Sequence, residues 1–279
     1  MMKNKVTRRS FALQTGVALL AAPLIKGAQK HPSRPPAGTL SDEFLARLPK
    51  IMELANVPGV AVAIIKDGRR EWSQGFGVKK AGTTDAVDSD TLFGAASLSK
   101  PVFSYAVLRM REEKLIDIDR PLVEYLPYAD LPDTPNARLI TARQVMSHST
   151  GLQNWRFNPD QRLNIAFKPG ERFSYSGEGF FYLQRVVEQI TGRGFEEYMR
   201  ERVLKPLGMP SSSYLWLSEL ESRVAWGHNN QGAPTEIYNA RAARRMLEIA
   251  EEWKKPLPTW KYEDVARANS IITKGQSPL

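Results

Sequence analysis

One stretch constrains this chain more than any other. Residues 91–111 read TLFGAASLSKPVFSYAVLRMR, in which three small residues at 94–96 lead into a largely apolar run from Val102 to Leu108. Apolar side chains on most faces of a helix are typical of a helix buried in a protein interior. We therefore expect a buried helix here, with Ser97 in its first turn.

Ser97 and Lys100 lie three residues apart in this stretch. Residues at that spacing share a helix face, so the hydroxyl and the amine can come within hydrogen-bonding reach. A serine hydroxyl needs a base to take its proton, and a lysine serves as one when burial disfavours its ammonium form. The positive end of the helix also favours an alkoxide. About one S-x-x-K is expected by chance in a chain this long, so the motif alone assigns no activity.

Charge and cysteine content exclude several classes of function. The net charge is +9, but the first 30 residues carry six bases and no acids, so the remainder carries only +3. No later basic tract with interleaved aromatic residues indicates a nucleic-acid partner. The chain has no cysteine, which excludes a disulfide framework, thiol catalysis and a lipid-anchoring cysteine.

Residues 1–30 resemble a twin-arginine export signal. The segment Thr7-Arg8-Arg9-Ser10-Phe11 precedes a mildly apolar run from Val17 to Ile25, which is the expected order for such a signal. The alternatives are a basic amphipathic helix and a short membrane anchor, although spanning a bilayer takes roughly 20 apolar residues. We expect contact with a membrane only during export, a linker over residues 31–40 and one domain over residues 41–279.

The pattern of the domain predicts both helices and strands. Residues 41–57 predict a helix with Ser41 as its N-cap and a kink at Pro49. Strands are expected at 60–66 and 71–78, joined by a hairpin turn at Asp67-Gly68. The remaining predictions are helices at 141–148, 179–190, 195–204 and 241–255, the last as a solvated surface helix, and a short strand at 211–217.

Five blocks, in order, are together more specific than S-x-x-K alone. They are PGVAVAIIKDG at 58–68, TLF with S-x-x-K at 91–100, LIDIDRPL at 115–122, VMSHSTGL at 145–152 and PGERFSYS at 169–176. From about residue 41 to 215 the chain resembles the serine β-lactamase family, which embraces class C β-lactamases, penicillin-binding DD-peptidases and related esterases. The resemblance implies an α+β fold, in which an antiparallel sheet flanked by helices lies beside an all-helical lobe and the site lies between them.

Tyr175 occupies the position of the family's Y-x-N tyrosine. The resemblance implies that its phenolate, held beside the lysine ammonium, takes the Ser97 proton, hands it to the leaving group and later activates water. The alternative is a half-buried tyrosine with a solvated hydroxyl.

Gly177 stands where the family usually has asparagine, so it cannot donate a side-chain hydrogen bond to a substrate amide or help to fix the lysine. This change favours an ester- or peptide-directed hydrolase over efficient β-lactam turnover. Trp155 and Arg156 lie in a loop that borders the pocket in relatives, where they either contact substrate or pack the loop. His148 matches a structural position rather than a catalytic histidine, because no G-x-S-x-G elbow is present to pair with it.

The family's third motif, K-T-G or H-x-G on a strand beside the pocket, has no match. Thr273-Lys274-Gly275 contains the same three residue types as K-T-G, but in a different order. We therefore expect a truncated member with an incomplete sheet. Half of the oxyanion hole would then be missing, and one lost donor costs roughly 10²–10³ in rate.

The sequence thus predicts an exported hydrolase, periplasmic or extracellular, that forms an acyl-enzyme on Ser97 with Lys100 and Tyr175 as proton carriers. Trp155 and Gly177 are the candidate substrate-binding residues. The acyl donor is left open among a β-lactam, a D-alanyl peptide and a small ester. No metal or organic cofactor is implied, since no cluster of metal-ligating residues has the required spacing. The alternative is a catalytically inactive relative that serves as a binding module.

Overall fold

The computed structural model of the protein describes residues 42–156, 162–235 and 240–275. The predicted export signal, the linker and Ser41 lie outside these ranges. In chain order the main elements are α1 (Asp42–Leu54), β1 (Gly59–Lys66), β2 (Arg69–Gly77), α2 (Ser99–Glu112), α3 (Ala142–Met146), α4 (Gly177–Thr191), α5 (Phe195–Met199), β3 (Gly227–His228), β4 (Pro234–Thr235), α6 (Ala240–Glu252) and α7 (Tyr262–Gly275).

The N-terminal helix and the hairpin form as the sequence predicts, with one shorter boundary. Helix α1 contains Pro49 but ends at Leu54, before the predicted residue 57, because Asn56 adopts a left-handed backbone (φ 52°) and Pro58 follows. Strands β1 and β2 pair antiparallel. Asp67 (φ 50°) and Gly68 (φ 71°) both take the positive φ values that a type I′ hairpin turn requires.

Helix α2 is buried on one face only, so the prediction of burial on most faces is wrong. Phe103 and Val107 are buried, whereas Leu108 is 44% exposed and Leu98 is 76% exposed. The side of the helix that carries the exposed residues has no packing partner among the described residues that covers it. Ser97 lies in a short 3₁₀ turn, Ala96–Leu98, directly before the helix, rather than in the helix itself.

Helices α3, α4 and α5 pack with α2 around one large hydrophobic cluster that extends from Phe103 to Val203. Thr141 and Gln144 form a capping box at the start of α3, as the capped helix at 141–148 predicted. Helix α4 ends at Gly192, which adopts the left-handed conformation common after a helix. Helix α5 continues into a π-helical turn, Arg200–Leu204, so the predicted helix at 195–204 is confirmed.

Two predictions in the C-terminal third are wrong. Residues 211–217 form a loop rather than a strand, because the Glu196 carboxylate accepts hydrogen bonds from the Ser213 hydroxyl (2.9 Å) and the Tyr214 backbone N–H (2.7 Å). Helix α6 is not fully solvated, since Ile249 is completely buried against a second small cluster that includes Trp260.

The α+β fold class is confirmed, with helices and small antiparallel sheets. Among the described residues the sheets are the β1–β2 hairpin and the short β3–β4 pair. The segment Thr273-Lys274-Gly275 lies at the end of α7 rather than on a strand. No helix in the described part of the chain is long and apolar enough to cross a membrane.

Candidate active site

Ser97 and Lys100 are brought together by the turn that leads into α2. Lys100 lies one residue inside the helix and its Nζ donates to the Ser97 Oγ at 3.2 Å. Ala96, immediately before Ser97, adopts a left-handed backbone (φ 43°), which is unfavourable for a residue with a Cβ and recurs at functional sites. The hydroxyl of Ser99 donates to the Ala96 carbonyl and ties this turn to the helix.

Tyr175 reaches the same serine from a distant part of the chain. Its hydroxyl donates to the Ser97 Oγ at 2.6 Å. Ser176, the next residue, caps α4 by accepting from the Gly179 backbone N–H at 3.0 Å, so the phenol is fixed at the start of that helix. Ser97 lies just before the N-terminus of α2, whose partial positive charge favours a negative oxygen there.

Aromatic rings surround the Lys100 amine. Its Nζ lies 5.1 Å from the ring centre of Tyr175, 5.6 Å from that of Phe180 and 6.0 Å from that of Trp155. These contacts place a cation against ring faces, a favourable but modest interaction. In the ranges that the structure describes, no carboxylate lies within ion-pairing distance of Lys100, so its charge acts on Ser97 and Tyr175.

The Lys100 amine and the Ser97 hydroxyl lower the pKa of Tyr175 below its ordinary value of 10.0 through hydrogen bonding, and the Lys100 charge adds to this effect. Partial burial opposes the shift without reversing it. A lowered pKa makes the phenolate accessible at lower pH, and a phenolate next to Ser97 Oγ would accept the serine proton.

His148 supports the ring of Tyr175. The two rings stack with their centres 4.2 Å apart, and the His148 Nδ1 accepts from the Ser176 backbone N–H at 3.1 Å. Burial lowers the pKa of His148, and the Lys100 charge lowers it further. A neutral imidazole keeps Nδ1 free to accept, which is a positioning role rather than proton transfer to Ser97.

Gly177 begins α4 and faces Trp155. Its backbone is helical, so no left-handed conformation requires a glycine here. A Cβ at this position would lie only 2.3 to 2.6 Å from three ring carbons of Trp155. The indole therefore occupies the space into which a side chain at 177 would project.

The two residues of the 155–156 loop point to different places. Trp155 is 49% exposed and borders a cavity that Lys100 also lines. Arg156 turns inward, where it pairs with Asp130 (2.7 Å) and the buried Glu178 (3.2 Å). Of the two alternatives for this loop, packing thus describes Arg156, and substrate contact stays open for Trp155.

Two further features bear on the chemistry. The backbone N–H of Ser97 has no acceptor among the described residues, so it is available to an oxyanion. The described residues also contain no group of three histidine, aspartate or glutamate side chains that would hold a metal ion.

Sequence reasoning missed the residues that hold the site in place. Asn154 accepts from the backbone N–H groups of Gly177 (3.0 Å) and Glu178 (2.9 Å), which links its loop to the first turn of α4. Asn154 gave no signal in the sequence, because its partners are backbone groups. The Glu178 carboxylate, at the start of an apolar helix, did indicate a partner such as Arg156, because a buried carboxylate requires one.

Comparison with known proteins shows which family the chain belongs to. The beta-lactamase family model matches residues 46–258. Protein flp of Staphylococcus aureus (strain N315) is 22% identical, with 70% of this chain and 43% of that protein covered. Penicillin-binding protein 4 of Amycolatopsis lactamdurans is 28% identical, with coverages of 62% and 49%. The chain thus spans less than half the length of these curated relatives.

Among solved structures, a D-alanine carboxypeptidase AmpC from Burkholderia cenocepacia superimposes with a TM-score of 0.61 at 21% identity, over 70% of this chain and 56% of that one. At this identity the likeness shows the fold alone. Because the family model covers most of the chain, including the segments that carry Ser97, Lys100 and Tyr175, the chain belongs to the β-lactamase family, within the superfamily of serine β-lactamases and DD-peptidases.

Proposed function

We propose that this chain is an exported serine hydrolase that forms an acyl-enzyme on Ser97. The observation that carries the proposal is the pair of contacts at Ser97 Oγ, 2.6 Å from the Tyr175 hydroxyl and 3.2 Å from the Lys100 amine. A hydroxyl held between a phenol of lowered pKa and a cation is the arrangement that activates a serine.

Acylation follows from these contacts. The Tyr175 phenolate takes the Ser97 proton, and Oγ forms a bond to the acyl carbon while the carbonyl electron pair moves to its oxygen. The Ser97 backbone N–H donates to that oxyanion. The bond to the leaving group then breaks, and the leaving atom receives the proton from Tyr175. The Lys100 charge stabilises the phenolate whenever it forms.

Deacylation runs through the same groups. A water molecule gives its proton to Tyr175 as its oxygen attacks the acyl carbon. The tetrahedral intermediate then expels Ser97 Oγ, which recovers its proton from Tyr175. The carboxylic acid leaves and the enzyme returns to its starting state.

The acyl donor is a β-lactam, a D-alanyl peptide or a small ester. The name of one relative, a penicillin-binding protein, supports the first class. Gly177 favours the peptide or the ester over efficient β-lactam turnover, because it offers no side-chain donor to an amide.

A fluorescent phosphonate that labels active serines tests the activity. Folded wild type should be labelled, and Ser97→Ala should remove the label. Absence of labelling in folded wild type would instead favour the alternative, an inactive relative that binds a partner.

Export is tested separately. Replacing Arg8 and Arg9 by lysine keeps the charge but removes the twin-arginine pair. The variant should accumulate in the cytoplasm as an unprocessed precursor, while wild type leaves it. Equal export of the two would overturn this part of the proposal.

A further inference from the structure

The strongest unexplained feature outside Ser97, Lys100 and Tyr175 is an aromatic cavity next to Lys100. It has a volume of about 160 Å³. Its lining side chains are mainly aromatic: Phe103, Trp155, Phe180, Phe181, Phe195 and Tyr214. An apolar cavity of about 150 Å³ accepts a benzene molecule, so this one has room for a single ring or a branched alkyl group.

The inner walls of the cavity are well packed. Phe103, Phe180 and Phe195 are all less than 10% exposed. The ring centre of Phe103 lies 4.8 Å from that of Phe195 in an edge-to-face contact, and Phe195 makes a similar contact of 5.0 Å with Tyr214. Such ring contacts stabilise the inner wall.

Several polar groups of the cavity have partners within the protein. The Tyr214 hydroxyl donates to the Ser99 carbonyl at 3.0 Å, and the Ser99 hydroxyl donates to Ala96. The side-chain nitrogen of Gln184 donates to Glu188 at 3.1 Å. The Lys100 amine, which also lines the cavity, donates to the Ser97 Oγ at 3.2 Å, and the rest of the lining is mainly aromatic.

The open wall of the cavity depends on one pair of residues. Trp155 lies over Gly177, and an added Cβ at 177 would collide with its ring. The residues on both sides of Trp155 are tied to the start of α4, Asn154 through the backbone of Gly177 and Arg156 through Glu178. The absence of a side chain at 177 therefore leaves room for the indole, and the hydrogen bonds of Asn154 and Arg156 fix the loop that carries Trp155.

We infer that Trp155 and Gly177 together determine specificity, and that the site takes esters whose acyl group is a single aromatic ring or a compact branched alkyl group. This inference rests on the proposed acyl-enzyme at Ser97 and narrows its substrate class. Trp155 closes the apolar subsite, and any side chain at 177 opens it by displacing the ring.

The test compares p-nitrophenyl benzoate with p-nitrophenyl acetate, which share a leaving group. The measured quantity is the ratio of their kcat/KM values, corrected for the alkaline hydrolysis rates of the two esters. Wild type should prefer the benzoate by at least about tenfold, since filling an apolar pocket discriminates by about that factor or more. Trp155→Ala and Gly177→Ala should each lower the ratio about tenfold.

The double variant identifies the mechanism. If Gly177→Ala acts by displacing the indole, the ratio in Trp155→Ala/Gly177→Ala should equal that in Trp155→Ala alone. The matched control is Trp226→Ala, because Trp226 packs against Lys80 and does not line the cavity. An unchanged ratio in Trp155→Ala and Gly177→Ala, with Ser97-dependent turnover retained, would overturn the inference and leave the proposed function intact.

A second measurement does not require turnover. Acetophenone, a neutral ligand with one ring, is titrated by ligand-observed NMR into the Ser97→Ala protein with and without Trp155→Ala. If no ester is hydrolysed in a Ser97-dependent way, the proposed function fails, but a roughly tenfold weaker affinity in the Trp155→Ala protein would still support the subsite. Equal affinity of the two proteins would overturn it.

Discussion

The helical core and the β1–β2 hairpin are packed to very different degrees. Helices α2 and α4 contribute fully buried residues such as Val107 and Leu183 to the core. In the hairpin, by contrast, β1 has no fully buried residue and β2 has only Trp72, while Ile65 is 73% exposed. Ser97, Lys100 and Tyr175 are all held by the two helices. The geometry of the site therefore depends on the well-packed region and not on the hairpin.

The largest effect is expected from the phenol itself. Tyr175→Phe keeps the ring on His148 but removes the hydroxyl that we propose as the proton carrier, and general acid–base catalysis contributes about 10²–10⁴ in rate. We expect kcat/KM for an ester substrate to fall by that factor. Ile65→Ala in the hairpin is the control and should leave the rate unchanged. A comparable loss in the control would show that the hairpin also determines the site.

The next largest effect is expected on the free energy of unfolding, which should respond differently to substitutions in the two regions. Leu183→Ala removes a completely buried side chain from α4 and should lower the free energy of unfolding by about 2–5 kcal/mol. Ile65→Ala, at an exposed position, should change it by less than about 0.5 kcal/mol. Urea unfolding followed by circular dichroism measures both. Equal losses would mean that the hairpin has a packing partner in solution.

Two ion pairs of the helical region differ in how deeply they are buried, and the cost of breaking each should differ accordingly. Arg156 is 13% exposed and pairs with Glu178, which is 6% exposed, so Arg156→Met leaves a buried carboxylate without its partner. The expected loss in unfolding free energy is about 3 kcal/mol. The Arg143 pair with Asp119 is more than half exposed, and Arg143→Met should cost far less than Arg156→Met, because solvent screens an exposed pair. Similar losses for the two would contradict the burial argument.

The smallest effect is expected on the pH at which Tyr175 loses its proton. Because Lys100 lowers the pKa of Tyr175, the phenolate forms as pH rises through a value below 10.0, and activity should rise with it. Lys100→Met should move this transition back to higher pH. Tyrosine labelled at the ring carbon that bears the hydroxyl reports the titration by NMR, and Tyr175→Phe assigns the signal. The opposite shift would exclude Lys100 as the cause.

The two regions also differ in how much of their structure was predictable. The hairpin turn and the α3 capping box were predicted because their signals are local: Asp67-Gly68 adopts positive φ, and Thr141 bonds three residues ahead. The loop at 211–217 was not predicted, because its structure depends on a carboxylate outside the loop. Glu196 accepts hydrogen bonds from the Ser213 hydroxyl and the Tyr214 backbone N–H. The exposed face of α2 was missed for a related reason, since an apolar pattern does not specify which neighbour covers it.

The sequence alone determined the family and identified Ser97, Lys100 and Tyr175 as candidates for the site, because short motifs preserve residue types in order and those types limit the chemistry. Only the tertiary structure decided how they meet. It placed Tyr175 within 2.6 Å of a serine 78 positions earlier, stacked His148 behind the phenol, and filled the space over Gly177 with Trp155. These contacts join distant segments, and their geometry follows from the packing of the helices around one shared core, which no local pattern encodes.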